Sequence, residues 1–115
     1  MTIQEFYTSI EGNYEEALGR LMKPDFVKRF ASKFAKDGSF NELTTNLDAD
    51  NTETAFRAAH TLKGVCKNLA FTKLANSSSE ITEMLRAGNI AAAKEYFPTV
   101  KADYDKVIAA IGLIE

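Results

Sequence analysis

The chain has 115 residues, 45% of them hydrophobic and 26% charged, the balance of an ordinary globular protein, and one domain over residues 1–115 is expected. With 14 basic and 16 acidic side chains the net charge is −2, so a nucleic-acid footprint over the whole surface is excluded and any cationic patch must be local. One cysteine allows no internal disulfide, no apolar run approaches a membrane span, and Met1-Thr2-Ile3-Gln4-Glu5 has no signal-peptide character, so a cytoplasmic protein without a membrane partner is expected.

Ile3, Phe6, Tyr7 and Ile10 have the spacing of a short amphipathic helix that Glu11-Gly12 ends. Asn13 is placed to cap the next, with Glu16 three residues on and Tyr14, Ala17, Leu18 and Leu21 on its apolar side. Pro24 suits a first helical position. Phe26, Val27, Phe30, Ala31 and Phe34 follow as a strong face, and the three phenylalanines read as core. Gly38 reads as a C-terminal cap. Ser39-Phe40-Asn41-Glu42 reads as a capping box that opens a helix with Phe40, Leu43 and Leu47 inward. Asp48-Ala49-Asp50-Asn51 is a turn that puts acidic charge at the positive end of the following helix.

That helix, roughly Thr52 to Leu69, holds the only histidine. Ala55, Ala58, Leu62, Val65 and Leu69 form its apolar stripe. With Leu62 at zero and about 100° per residue, His60 lies about 160° away, and Gly64 and Lys67 near 200° and 140°. The histidine therefore faces water, with Arg57, Lys63 and Lys67 as cations around it. Cys66 falls on the core side. Phe56, about 120° from the stripe, either joins a docking patch beside the histidine or packs under the N-terminal helices. After a break near Ala70-Phe71, Thr72 reads as the cap of a helix running to about Ala87, with Leu74, Ser78, Ile81 and Leu85 inward. Gly88 closes it and Asn89 opens the last helix, whose stripe is Ala93, Phe97, Val100, Tyr104, Val107 and Ile111. Pro98 within it predicts a kink. Nothing alternates with period two. The pattern is all-α: an antiparallel four-helix bundle with short N-terminal helices over one end.

An imidazole standing in water is a good nucleophile near neutral pH, because histidine's unperturbed titration falls between about pH 5 and 8. Lysines beside it bind phosphoryl oxygens. A glycine one turn on lets a bulky partner approach. The assembly suits a phosphoryl group parked on nitrogen and delivered by another protein. A metal site is not expected, since one histidine and one core-facing cysteine supply no ligand set.

His60-Thr61-Leu62-Lys63-Gly64, with Asn68-Leu69 beyond it, resembles the histidine-containing phosphotransfer (HPt) domain family, and helix order and length match from end to end. The resemblance implies a phosphorelay carrier. His60 would accept a phosphoryl group from a receiver-domain aspartate and pass it to another receiver. Lys63 and Lys67 would bind the phosphoryl oxygens, and Gly64, Phe56 and Arg57 would form the docking surface. The implied partners are response-regulator receiver domains and a hybrid sensor kinase. No cofactor is implied on this chain, with Mg²⁺ expected on the receiver, and a monomer is expected. In the family a polar side chain, often glutamine or glutamate, tends to bond the imidazole from the position where Thr82 stands. A hairpin turning near residue 71 puts Thr82 at the height of His60, Ser79 at that of Lys63 and Ser78 at that of Gly64. Thr82 thus either helps orient His60 or is a solvated threonine. Many members carry glycine where Ala70 stands, which leaves the geometry of that turn open.

Two other classes compete. The dimerisation helix of a sensor kinase also bears a phosphoacceptor histidine, but an acidic residue usually follows it, whereas Thr61 follows here. No ATP-binding motif is present either, so autokinase activity is not expected. The alternative is an HPt-like bundle that serves only as a protein-interaction module without accepting phosphate.

Overall fold

A computed structural model describes all residues, Met1–Glu115. It contains seven α-helices and no strand: α1 Ile3–Ser9, α2 Tyr14–Leu21, α3 Pro24–Lys33, α4 Ser39–Asp48, α5 Thr52–Asn68, α6 Thr72–Arg86 and α7 Ile90–Ile111, with a 3-10 turn at Phe34–Lys36. Helices α4 to α7 form the expected antiparallel bundle. Each packs on the next, and α4 also meets α7. No helix is long and apolar enough to cross a membrane.

The stripes bury as their spacing requires. Leu43 and Leu47 of α4, Leu62 of α5, Leu74, Ile81 and Leu85 of α6, and Val100 and Val107 of α7 all lie in one continuous core. The stripe of α5 sits slightly rotated from the one expected. Ala59 and Cys66 are buried and Val65 is only half-buried. Helix α7 runs on through Pro98, which stands on its exposed side.

Helices α1 to α3 close the end of the bundle where α5 turns into α6. An aromatic series joins the two parts. Phe71, at that turn, meets Phe6 at 5.7 Å, Tyr7 at 5.7 Å and Phe34 at 5.2 Å between ring centroids. Phe34 leads on to Tyr104, which stacks on Phe40 at 3.9 Å. The Tyr7 hydroxyl donates to the Leu69 carbonyl at 2.7 Å, and its burial pushes the phenol well above its usual titration range. Asn13 N–H donates to the Ala70 carbonyl at 2.9 Å. Gly12 is required for that approach, because a Cβ there would lie 2.8 Å from the same carbonyl oxygen. Ala70 itself has φ +57, so the turn takes the left-handed conformation a glycine would favour although the residue is alanine.

Several local expectations need correction. Gly38 is not a C-terminal cap. Its φ is −88, and it occupies the N-cap position of α4. The Asp37 carboxylate accepts Ser39 N–H at 2.9 Å, so Ser39 starts the helix and the expected capping box at 39–42 does not form. Thr72 is likewise the first residue of α6, and Phe71 stands at its cap. Of the three phenylalanines expected inside, only Phe34 is buried. Phe26 and Phe30 are 37% and 41% exposed. The five-residue face of α3 is too wide for its neighbours. Val27, Ala31 and Phe34 meet the body, while Phe26 and Phe30 turn outward with cations over their rings.

Candidate functional site

His60 lies on the third turn of α5 and is exposed, as the wheel requires. Alanines flank its inner side. Ala58 and Ala59 are buried and bring α5 close against its neighbours, leaving the ring on the outer surface. Phe56, one turn before, stacks against the imidazole with centroids 5.9 Å apart and planes 22° apart. The Arg86 guanidinium from α6 covers the Phe56 ring at 4.9 Å. Residues 56 and 86 are equidistant from Phe71, so this contact confirms the register of the α5–α6 hairpin. Phe56 is half-buried beside the histidine and does not pack under the N-terminal helices.

The cations around the ring are not equivalent. Lys63, half-buried, and Lys67, exposed, have no carboxylate within ion-pair distance. Arg57, expected as a third free cation, carries the Glu53 carboxylate at 2.5 Å. A pair so exposed is worth only about 0.3–0.5 kcal/mol and yields readily to a better partner. Arg86 is held by Glu83 at 3.1 Å. Gly64, one turn beyond His60, faces open space: apart from its own turns of helix, no heavy atom lies within 4 Å of where a Cβ would stand. Nothing inside the molecule therefore requires glycine there.

Thr82 is not the solvated threonine of one expectation, and no direct hydrogen bond to the imidazole supports the other. It is fully buried in the α5–α6 interface, not solvated, and its hydroxyl donates to the Ser78 carbonyl at 2.6 Å. The height was right, but a threonine side chain is short and satisfies itself on its own helix. No hydrogen bond joins it to His60. Thr82→Val is accordingly expected to leave phosphoryl transfer through His60 within about twofold of the wild type and to change stability by about 1 kcal/mol. A tenfold loss of transfer rate in that variant would restore an orienting role. Arg86 was missed from sequence, although the hairpin register that placed Thr82 also puts residue 86 level with Phe56.

Cys66 is buried, and burial pushes its thiol well above the ordinary range, so it is no nucleophile. No three His, Cys, Asp or Glu side chains converge anywhere to hold a metal ion. What remains is one exposed imidazole, backed by an aromatic ring, with two lysines that have no carboxylate partner three and seven residues further along the helix and Gly64 between them.

Comparison with known families matches residues 36–110 to the Hpt domain. The chain belongs to the Hpt domain family. No curated protein and no solved structure matches it by comparison. Hpt domains carry phosphoryl groups in two-component signalling, exchange them with the receiver domains of response regulators or sensor kinases, and act as carriers rather than kinases. The match covers the four bundle helices and leaves α1 to α3 outside it.

Proposed function

We propose that this Hpt domain relays phosphate on His60, taking it from the phosphoaspartate of one receiver and giving it to another. The observation that carries the reading is the exposed imidazole with unpaired Lys63 and Lys67 and nothing above Gly64. The Nε2 lone pair attacks phosphorus in line. The N–P bond forms as the P–O bond to the aspartate breaks, and the carboxylate leaves. Lys63, with Lys67 behind it, offsets charge on the equatorial oxygens. Phe56 supports one face of the ring, so the imidazole pivots less. Gly64 admits the receiver's active-site loop. Mg²⁺ comes with the receiver, and this chain supplies no cofactor. It acts as a cytoplasmic, single-domain monomer without autokinase activity.

The test is incubation with a receiver domain phosphorylated on its aspartate. An acid-labile, base-stable label is expected on the wild type and none on His60→Gln. A wild type that stays unlabelled with every receiver of its own cell, while remaining folded, would identify an interaction module that accepts no phosphate.

A further inference from the structure

We propose that the outer face of α3, led by Met22, adsorbs to an anionic lipid surface and holds the domain there as a peripheral protein. Four large apolar side chains are exposed in the whole molecule, and three of them, Met22, Phe26 and Phe30, follow one another at intervals of four residues. That spacing sets Phe26 and Phe30 one turn apart on the same side of α3, with Met22 just before it. Met22 is 77% exposed. It stands at the tip of a three-residue turn that the Lys23 N–H closes by donating to the Leu21 carbonyl at 2.9 Å. Its φ of +75 lies in the left-handed region, which disfavours methionine. A side chain so nearly surrounded by water gains little burial to offset that strain. The turn therefore holds a long apolar side chain outward, at the head of an aromatic stripe.

The same stretch concentrates positive charge. Arg20, Lys23, Lys28, Arg29, Lys33 and Lys36 stand against Asp25 alone, in a chain whose net charge is −2. All six are exposed, and only Arg20 has a carboxylate partner, Glu16 at 2.7 Å. Lys23 and Arg29 lie 5.6 Å from the centre of Phe26, and Lys33 lies 5.4 Å from that of Phe30. Cations thus flank the apolar stripe on the helix that carries it. At a bilayer this arrangement puts Met22, Phe26 and Phe30 at the acyl boundary, while the lysines and arginines meet the anionic headgroups. Charge complementarity selects lipid of net negative charge. A second copy of the chain would oppose like charges. Single-stranded nucleic acid stacks its bases on free aromatic faces, and here Lys23, Arg29 and Lys33 lie over those faces. A projecting turn on an outward helix face also suits a layer that deforms around it. The expectation of no membrane partner rested on the lack of a spanning segment, which is a different property from adsorption.

The experiment sediments the full chain with vesicles of equal parts phosphatidylserine and phosphatidylcholine, and with vesicles of phosphatidylcholine alone. The wild type is expected on the anionic vesicles and not on the neutral ones, and its binding should weaken as salt is raised. Each basic residue at an anionic leaflet strengthens adsorption by roughly fivefold. Arg29→Glu/Lys33→Glu removes two attractions and adds two repulsions, so its partition should fall by about a hundredfold or more. Met22→Ser/Phe26→Ser should lose about tenfold. The charge-reversed positions stand in water, so that variant carries the test if the apolar one melts early. A wild type that sediments with neither vesicle, or equally with both, overturns the proposal. So does a charge-reversed variant that binds as tightly as the wild type, which would assign adsorption to another face. Binding to single-stranded RNA without binding to anionic vesicles would assign the face to nucleic acid. A raised KM for a receiver in the variants, with no vesicle binding by the wild type, would assign it to a protein partner. Either result removes the lipid reading. None of these measurements uses His60: a chain that sediments with anionic vesicles but accepts no phosphate keeps this inference and loses the phosphocarrier reading.

Discussion

Gly64→Gln is expected to slow phosphate exchange with a receiver by about a hundredfold or more while making the bundle slightly more stable. The two halves of this prediction have separate causes. A Cβ at position 64 meets no heavy atom within 4 Å beyond its own turns of helix, so the fold has room for a side chain there. Glycine within a helix costs about 0.5–1 kcal/mol relative to a residue with restricted backbone freedom, so filling the position gains roughly 0.5 kcal/mol. The melting temperature should rise by a few degrees. The proposed function gives glycine a reason outside the molecule. On the proposed function, a glutamine one turn from His60 would stand where the receiver's active-site loop comes for in-line transfer. Misplacing reacting atoms by about 1 Å costs on the order of a hundredfold. Gly64→Ala, with one methyl group, should cost about tenfold. Phosphoramidate needs no docking and should label His60 at the wild-type rate in both variants, which separates a steric block from damage to the imidazole. If Gly64→Gln exchanged with a receiver as fast as the wild type, the partner would not approach over this turn, and the orientation proposed here would be wrong.

The outward placement of His60 was legible because it depends only on the helical period and on Ala55, Ala58 and Leu62 marking the inner face. The four bundle helices were legible for the same reason: one apolar stripe per helix leaves one way to bury all four. The losses share a different cause. Whether a second stripe is covered depends on neighbours distant in sequence, so Phe26 and Phe30 read as core although both stay partly in water. Rotamer and hydrogen-bond choice are not periodic either. The hairpin register gave the height of Thr82, but not that its hydroxyl would turn back to Ser78. Caps failed by one residue where a nearby group competed, as Asp37 did for Ser39. The Thr2–Glu5 capping box, with Glu5 N–H donating to the Thr2 hydroxyl at 3.1 Å and Thr2 N–H to the Glu5 carboxylate at 2.8 Å, was readable in the spacing and went unread. The Phe56–Arg86 contact required the register and the side-chain type together. It changes the account of the site, since the neighbour that meets the imidazole is the Phe56 ring and not the hydroxyl at position 82.

Phe71→Ala is expected to destabilise the protein by about 3–5 kcal/mol. Phe71 is fully buried, and its ring meets Phe6, Tyr7 and Phe34 from three directions. The cost of a truncated aromatic depends on how far its surroundings can collapse, and here they are pinned. Tyr7 is held to Leu69 through its hydroxyl, and Asn13 to Ala70 through the backbone. Gly12 is already in contact with that carbonyl and cannot move inward. A cavity should therefore persist, and the melting temperature should fall by about 10–15 °C. Phe71→Leu keeps most of the volume and should lose less than half as much. Phe30→Ala, with its ring half in water, should lose under about 1 kcal/mol and serves as the comparison. The functional consequence follows from where the cavity lies. It loosens the joint between α1–α3 and the bundle, and Phe71 stands eleven residues along the chain from His60. At a temperature where Phe71→Ala is still folded, phosphoramidate should label His60 normally. A melting temperature within about 3 °C of the wild type would show that the N-terminal helices are held by something other than this aromatic joint.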